Sequence, residues 1–222
     1  MKTIAKIKKL VKKYPRYAVS FLLITIMIVT ALVLHNISDR KFAERKDNDL
    51  LAAYNYAESG KLDESIKLLE KRHDFDPNDK SISKQLAIYY FQAKKYDQFE
   101  KIVNEAKLEV AQIYTMKAFI ARGAGEEGKA LEYYNKAIEL QPRTSNNYVD
   151  LANYYQILGR TGDALNTIKN GLNYNPKSSI LNLLAANYSL ELADLANAKI
   201  YAEKTLQIDE DNKRAIEIIG MK

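Results

Sequence analysis

The chain has 222 residues and no cysteine, which leaves room for a buried core and excludes disulfides, thiolate catalysis, Cys-bearing zinc or iron–sulfur sites and a lipid anchor on cysteine. Its formal charge of +6 is uneven: residues 1–46 hold 11 of the 34 basic and 2 of the 28 acidic groups, net +9, which leaves 23 against 26, net −3, for the rest. A mildly acidic body of mixed charge argues against DNA or RNA as a partner, because phosphate binding needs a basic surface.

Within residues 1–14, the run KTIAKIKKLVKK places Ile4, Ile7, Leu10 and Val11 on one side of a helical wheel and the lysines on the other. That pattern predicts a basic amphipathic helix lying on an anionic, cytoplasmic membrane face, with a disordered basic tail as the alternative. A mitochondrial targeting peptide would favour Arg and Ser, and neither occurs before Arg16. Pro15 ends this element and can open the next. Tyr17 to Leu34 carries no charge over 18 residues, about 27 Å of helix against a hydrocarbon layer of about 30 Å, and predicts one transmembrane helix over 15–35. A buried core helix fits this composition poorly. A cleaved signal peptide would have a shorter apolar run ending in small residues, whereas HNISDRKF follows here, so the reading is an uncleaved anchor.

Seven basic residues precede the span and four (Arg40, Lys41, Arg45, Lys46) follow it, which keeps the N-terminus cytoplasmic and exports the body. Asn36 and Asn187 head formal glycosylation sequons, a pattern common by chance. From Arg16 to Ser59 there is neither Pro nor Gly, so the juxtamembrane segment 36–46 is expected to be helical and to lead stiffly into the body, 46–222.

The body repeats itself. Tyr148–Pro176 shows two amphipathic helices, with Tyr148, Leu151, Ala152 and Tyr155 on one face, then Ala164, Leu165, Ile168 and Leu172 on another. Gly159 and Gly162 mark the turn and Pro176 the stop. Thirty-four residues upstream stand Ala118, Gly125, Ala130, Ala137 and Pro142; thirty-four downstream stand Ala186, Ala198 and Thr205. Small residues at a fixed period mean helix pairs, each burying its apolar face against the next.

These residues resemble the tetratricopeptide repeat, a 34-residue unit of the pattern W-x2-L-G-x2-Y, A-x3-F, P. The match runs through Tyr148, Leu151, Ala152, Tyr155, Ala164, Ile168 and Pro176. In 111–144 it runs through Tyr114, Ala118, Ala130, Tyr134, Ala137 and Pro142, with Lys117 in place of leucine. In 46–79 Ala53, Tyr56, Gly60, Leu69 and Pro77 match, with Ser65 in the small slot. In 80–110 Leu86, Ala87, Tyr90, Tyr96 and Ala106 match, but Phe99 stands where alanine is usual, the closing proline is missing and the copy is about three residues short. Residues 178–212 give Leu184, Ala185, Tyr188, Ala198 and Leu206, with an extra residue before Asp194, and 213–222 read as a capping helix. The resemblance implies an all-α helix-turn-helix solenoid of about five repeats plus that cap.

Two stretches mimic chemistry. GAGEEGKA at 123–130 satisfies G-x-G-x-x-G and nearly a phosphate loop, but Ala130 replaces the needed hydroxyl, Glu126 and Glu127 repel phosphate, and no strand precedes it; the repeat turn explains the same glycines. His73, Asp74, Asp76 and Asp79 could suggest a metal, yet Asp79 and Gln85 stand where a calcium loop wants glycine and glutamate, so 73–79 reads as an inter-repeat loop, as does 209–212. The other histidine, His35, borders the membrane span, so no histidine-based triad can be assembled. Neither an enzyme, a cofactor nor a metal site is expected.

Binding remains. The resemblance implies that first helices line a concave groove for a protein or peptide partner, with Leu50, Tyr54, Lys84, Ile88, Phe91, Thr115, Phe119, Asn146, Asp150 and Asn153 as candidate lining residues. Some of the aromatics could equally be inter-repeat core. The clamp of Lys, Asn and Arg with which some family members hold a C-terminal carboxylate is not expected: Lys84 could fit, while Ile88, Met116 and Asp150 do not. The expectation is a scaffold anchored through 17–34 in a bacterial inner membrane with its repeats outside the cytoplasm, acting as an assembly factor or accessory subunit of a membrane complex. One alternative is a receptor facing the cytosol from an organelle membrane. Another, of a different class, is a regulatory or catalytic partner domain.

Overall fold

The computed structural model describes the backbone of residues 15–222 and the side chains of 27–222 except 39, 42, 43, 45 and 46. The amphipathic segment expected over 1–14 lies outside the described residues, as do the side chains of 17–26 in the apolar run. Eleven α-helices and no strand occur among the described residues. The chain divides into two compact units, residues 1–82 and 83–222.

In the first unit, α1 (Pro15–Glu58) is one helix of 44 residues, about 66 Å long at 1.5 Å per residue, in keeping with the lack of Pro and Gly between 16 and 59. Met27, Ile28, Val29, Leu32, Val33 and Leu34 are all exposed on it. Among the described residues no helix is long and apolar enough to cross a membrane. The end of α1 pairs with α2 (Leu62–Phe75), burying Ala53, Ile66 and Leu69. Ser65 occupies the small slot where the helices approach. Its buried Oγ donates to the Ala53 carbonyl at 2.7 Å, which offsets the cost of taking a hydroxyl out of water. Asp79, in the loop that follows, accepts from the backbone N–H of Ser81 at 3.0 Å and of Ile82 at 3.3 Å and caps the next helix.

Most of α3 (Lys80–Gln92) belongs to the second unit, with α4 (Tyr96–Glu105), α5 (Ala111–Gly123), α6 (Glu127–Leu140), α7 (Ser145–Ile157), α8 (Thr161–Tyr174), α9 (Ser179–Glu191), α10 (Leu195–Leu206) and α11 (Lys213–Gly220). These form helix pairs in series, and the core sits at the small slots. Ala118, Ala130 and Tyr134 pack with Leu151 and Tyr154 of the following pair. Tyr148, Ala152, Ala164 and Ile168 pack with Leu181 and Ala185 of the one after. Each pair thus buries its neighbour's apolar face. Helix α11 lays Ala215 and Ile218 over Ala186, Ala198 and Ala202.

The departures from the pattern have local causes. The short repeat shortens its second helix: α4 has 10 residues where α6 and α8 have 14, and Ala106 becomes its C-cap residue rather than part of the packing face. Phe99 is fully buried in the slot for alanine. Lys117, in the leucine slot, reaches Glu100 of α4 at 3.2 Å. The turn inside each pair needs a left-handed residue. Gly60, Gly125 and Gly159 supply φ of +74°, +75° and +71°, but Lys94 and Ala193 hold φ of 57° and 59° without glycine's freedom. Gly162, expected in the turn, lies inside the first turn of α8.

Local hydrogen bonds hold the turns at 123–130 and 209–212. Residues 123–130 are the helix-to-helix turn, with Gly125 N–H donating to Arg122 O at 3.1 Å, Glu126 N–H to Ala121 O at 2.9 Å, and Ala130 in the core. In 209–212, Asn212 accepts from the Ala215 N–H at 3.1 Å and donates from Nδ2 to Asp209 at 2.8 Å. Among the described residues no acid or histidine cluster is placed to hold a metal ion.

Candidate protein-binding groove

Three first helices, α3, α5 and α7, present one face each to a recess of about 610 Å³ in the second unit. The spacing that brings the residues together is helical. Gln112, Thr115, Met116 and Phe119 stand at i, i+3, i+4 and i+7 of α5; Lys84 and Phe91 lie two turns apart on α3; Asn146 and Asp150 lie one turn apart on α7.

The centre is aromatic. Phe91 and Phe119 meet edge to face, with ring centroids 5.6 Å apart and planes at 76°, the arrangement that ring quadrupoles favour. Phe91 is braced from behind by Phe99 at 5.9 Å and Tyr96 at 6.0 Å. The unusual residue in the small slot therefore sets the position of the groove's aromatic centre. Phe119 keeps 43 % of its surface exposed, and the guanidinium of Arg122 lies 4.6 Å from its centroid.

The ends are polar. Asp150 is partly buried on α7, and burial pushes its carboxyl above the usual carboxylate range, against the pull of Arg122. The same burial raises the nearby Tyr134 hydroxyl. Lys84 stands at the α3 end, partly buried. Neither Lys84 nor Asp150 has an ion-pair partner among the described residues. Asn146 is exposed. Its neighbour Asn147 is buried and committed to structure, donating from Nδ2 to the Ala137 carbonyl at 3.0 Å and to the Gln141 carbonyl at 3.2 Å.

Of the ten candidates, Lys84, Phe91, Thr115, Phe119, Asn146 and Asp150 share this recess. Ile88 is half-buried on α3 and outside its lining. Asn153 is exposed on α7 and accepts a long hydrogen bond, 3.4 Å, from the Tyr188 hydroxyl. Leu50 and Tyr54 lie on α1 in the other unit, Tyr54 exposed. The ten candidates did not include Val110, Gln112, Met116, Gln141, Thr144 and Asn147 of the lining; the i, i+3, i+4, i+7 run on α5 was the available signal for Gln112 and Met116. It also missed a second cavity of about 660 Å³ among α6, α7 and α8, where Asn166, Asn170 and Asn173 line up along one exposed face beside Tyr155 and Tyr174.

Comparison with known proteins bears on the fold. Residues 111–144 match the tetratricopeptide repeat family, and the sequence matches no curated protein. Among solved structures, MamA is 17% identical and aligns over 71% of this chain and 94% of its own, with a TM-score of 0.58. YrrB, a TPR protein with an unusual peptide-binding site, is 14% identical over 78% of this chain and 91% of its own, with a TM-score of 0.55. PilW, a type IV pilus biogenesis factor, is 16% identical over 78% of this chain and 86% of its own, with a TM-score of 0.56. Such identities carry the fold alone. Residues 111–144 thus match the tetratricopeptide repeat, and the chain shares the helix-pair fold of these solved structures.

Proposed function

We propose that the chain is a membrane-anchored scaffold whose repeats hold a segment of a protein partner in the α3–α5–α7 groove, as an assembly factor or accessory subunit of a membrane complex. The observation that carries the binding role is the recess itself: a partly exposed aromatic pair flanked by polar side chains from three helices. Concave surfaces of this composition suit an extended or helical segment, with ring faces for an apolar anchor and amides for its backbone. YrrB, with its peptide-binding site, and PilW, a type IV pilus biogenesis factor, are compatible with it.

The anchor rests on the 18 uncharged residues 17–34, and the topology on the basic excess before them. The reading puts the protein in a bacterial inner membrane with residues 46–222 outside the cytoplasm. A photo-crosslinking residue at Thr115, introduced into the full chain in its native membrane, should capture a protein partner, while one at Ile157, exposed and outside the groove lining, should not. Equal capture from both positions would remove the groove reading. Alkaline carbonate should leave the protein in the pellet, and protease added to intact spheroplasts should digest the repeats; protection there would favour a cytosol-facing body.

A further inference from the structure

The groove carries different chemistry on each of its three helices. Lys84 on α3 brings an ammonium, Phe91 and Phe119 meet between α3 and α5, and Asp150 on α7 brings a carboxylate. Several charges of this unit pair locally: Lys117 with Glu100 at 3.2 Å, Lys129 with Glu126 at 3.0 Å, Arg214 with Glu217 at 3.0 Å. Lys84 and Asp150 line the recess and form no ion pair with each other or with another described residue, although Arg122, beside the Phe119 ring, attracts Asp150 at longer range. Lys84 is the only cation among the residues lining the recess and Asp150 the only anion.

Opposite unpaired charges on either side of an apolar centre select against uniformly charged ligands. An acidic segment that satisfies Lys84 meets Asp150, and a basic one that satisfies Asp150 meets Lys84. Resting on the reading that this groove holds a protein segment, we infer that the segment carries a bulky aromatic or aliphatic side chain between an acidic and a basic residue, the acidic one against Lys84 of α3 and the basic one against Asp150 of α7. Gln112, Thr115 and Asn146 line the same recess and can take up the backbone amides of that segment.

The test uses the full chain in lipid nanodiscs and short labelled peptides read by fluorescence anisotropy. Each peptide has a central phenylalanine flanked by Glu and Lys, by Glu on both sides or by Lys on both sides, and a fourth replaces the phenylalanine of the first by alanine. The Glu-Phe-Lys peptide should bind about tenfold more tightly than either uniformly charged one, and the alanine peptide should bind least. Lys84→Glu should move the preference to the Lys-flanked peptide and Asp150→Lys to the Glu-flanked one, with circular dichroism confirming that both variants keep their helices. If all phenylalanine peptides bind alike and neither substitution moves the preference, the charge inference fails while the groove reading stands. If no phenylalanine peptide outbinds the alanine one and crosslinking at Thr115 is no better than at Ile157, both fail.

Discussion

At the level of single residues, the irregular positions are the informative ones. Lys94 and Ala193 hold the left-handed turn that glycine takes in three other pairs, at a cost on the order of 1 kcal/mol each. Ala193→Gly should therefore raise stability by about 0.5–1 kcal/mol, read as a higher Tm in thermal melting. Gly171 is the opposite case. Its backbone is ordinary helix, but an added Cβ would lie 2.8 Å from Cγ of Tyr148 and 3.1 Å from Cδ1 of Leu181. Tyr148 cannot swing away freely, because it is buried and its hydroxyl donates to the Pro142 carbonyl at 2.9 Å. Alanine's better helix propensity is worth about 1 kcal/mol and overpacking costs about 1–3 kcal/mol, so Gly171→Ala should lower Tm. Asp150 shows how a groove residue can oppose stability. Its folded-state pKa is raised by burial, so the native state holds its proton more firmly than the unfolded chain. Stability is then lost as pH rises from about 4, the unfolded value, through the folded value. Asp150→Asn should melt no lower than the parent at pH 7, and the difference between the two should shrink below about pH 4.

At the level of elements, the periodic pattern locates helices well because amphipathic spacing and small slots are enforced by pair-to-pair burial. Ala164 is fully buried among Tyr148, Ala152 and Ala185, so Ala164→Leu should destabilise by about 1–3 kcal/mol in denaturant unfolding. The shortened α4 is legible in the missing residues of its repeat. What its phenylalanine does is not, because a bulky residue in a small slot reads only as a mismatch until the neighbouring helix is in place. Phe99 fills that slot and braces Phe91. Phe99→Ala should cost about 3–5 kcal/mol and also weaken binding of the Glu-Phe-Lys peptide, because Phe91 loses its support; unchanged affinity in a folded variant would separate the groove from its bracing.

At the level of the whole molecule, a basic apolar N-terminal stretch and a mildly acidic repeat body occupy separate parts of one chain. The sequence by itself determined the all-α class, the 34-residue period, the uninterrupted helix through 16–58 and the helix-to-helix turn within 123–130, because each is set by local propensity, turn chemistry and periodicity. Tertiary structure alone decided which first-helix residues meet. Lys84, Phe91, Phe119 and Asp150 come from three helices separated by intervening ones and share a recess, while Ile88 and Asn153, equally plausible by spacing, fall outside its lining. Only the packed helices decided that Ser65 is satisfied by Ala53, that Asn147 is a structural donor and that Lys84 and Asp150 form no ion pair among the described residues. A helix's sequence fixes which residues share its face, whereas the partners of that face depend on rotation and spacing between helices, which are set by side-chain volumes at contacts distant in the chain.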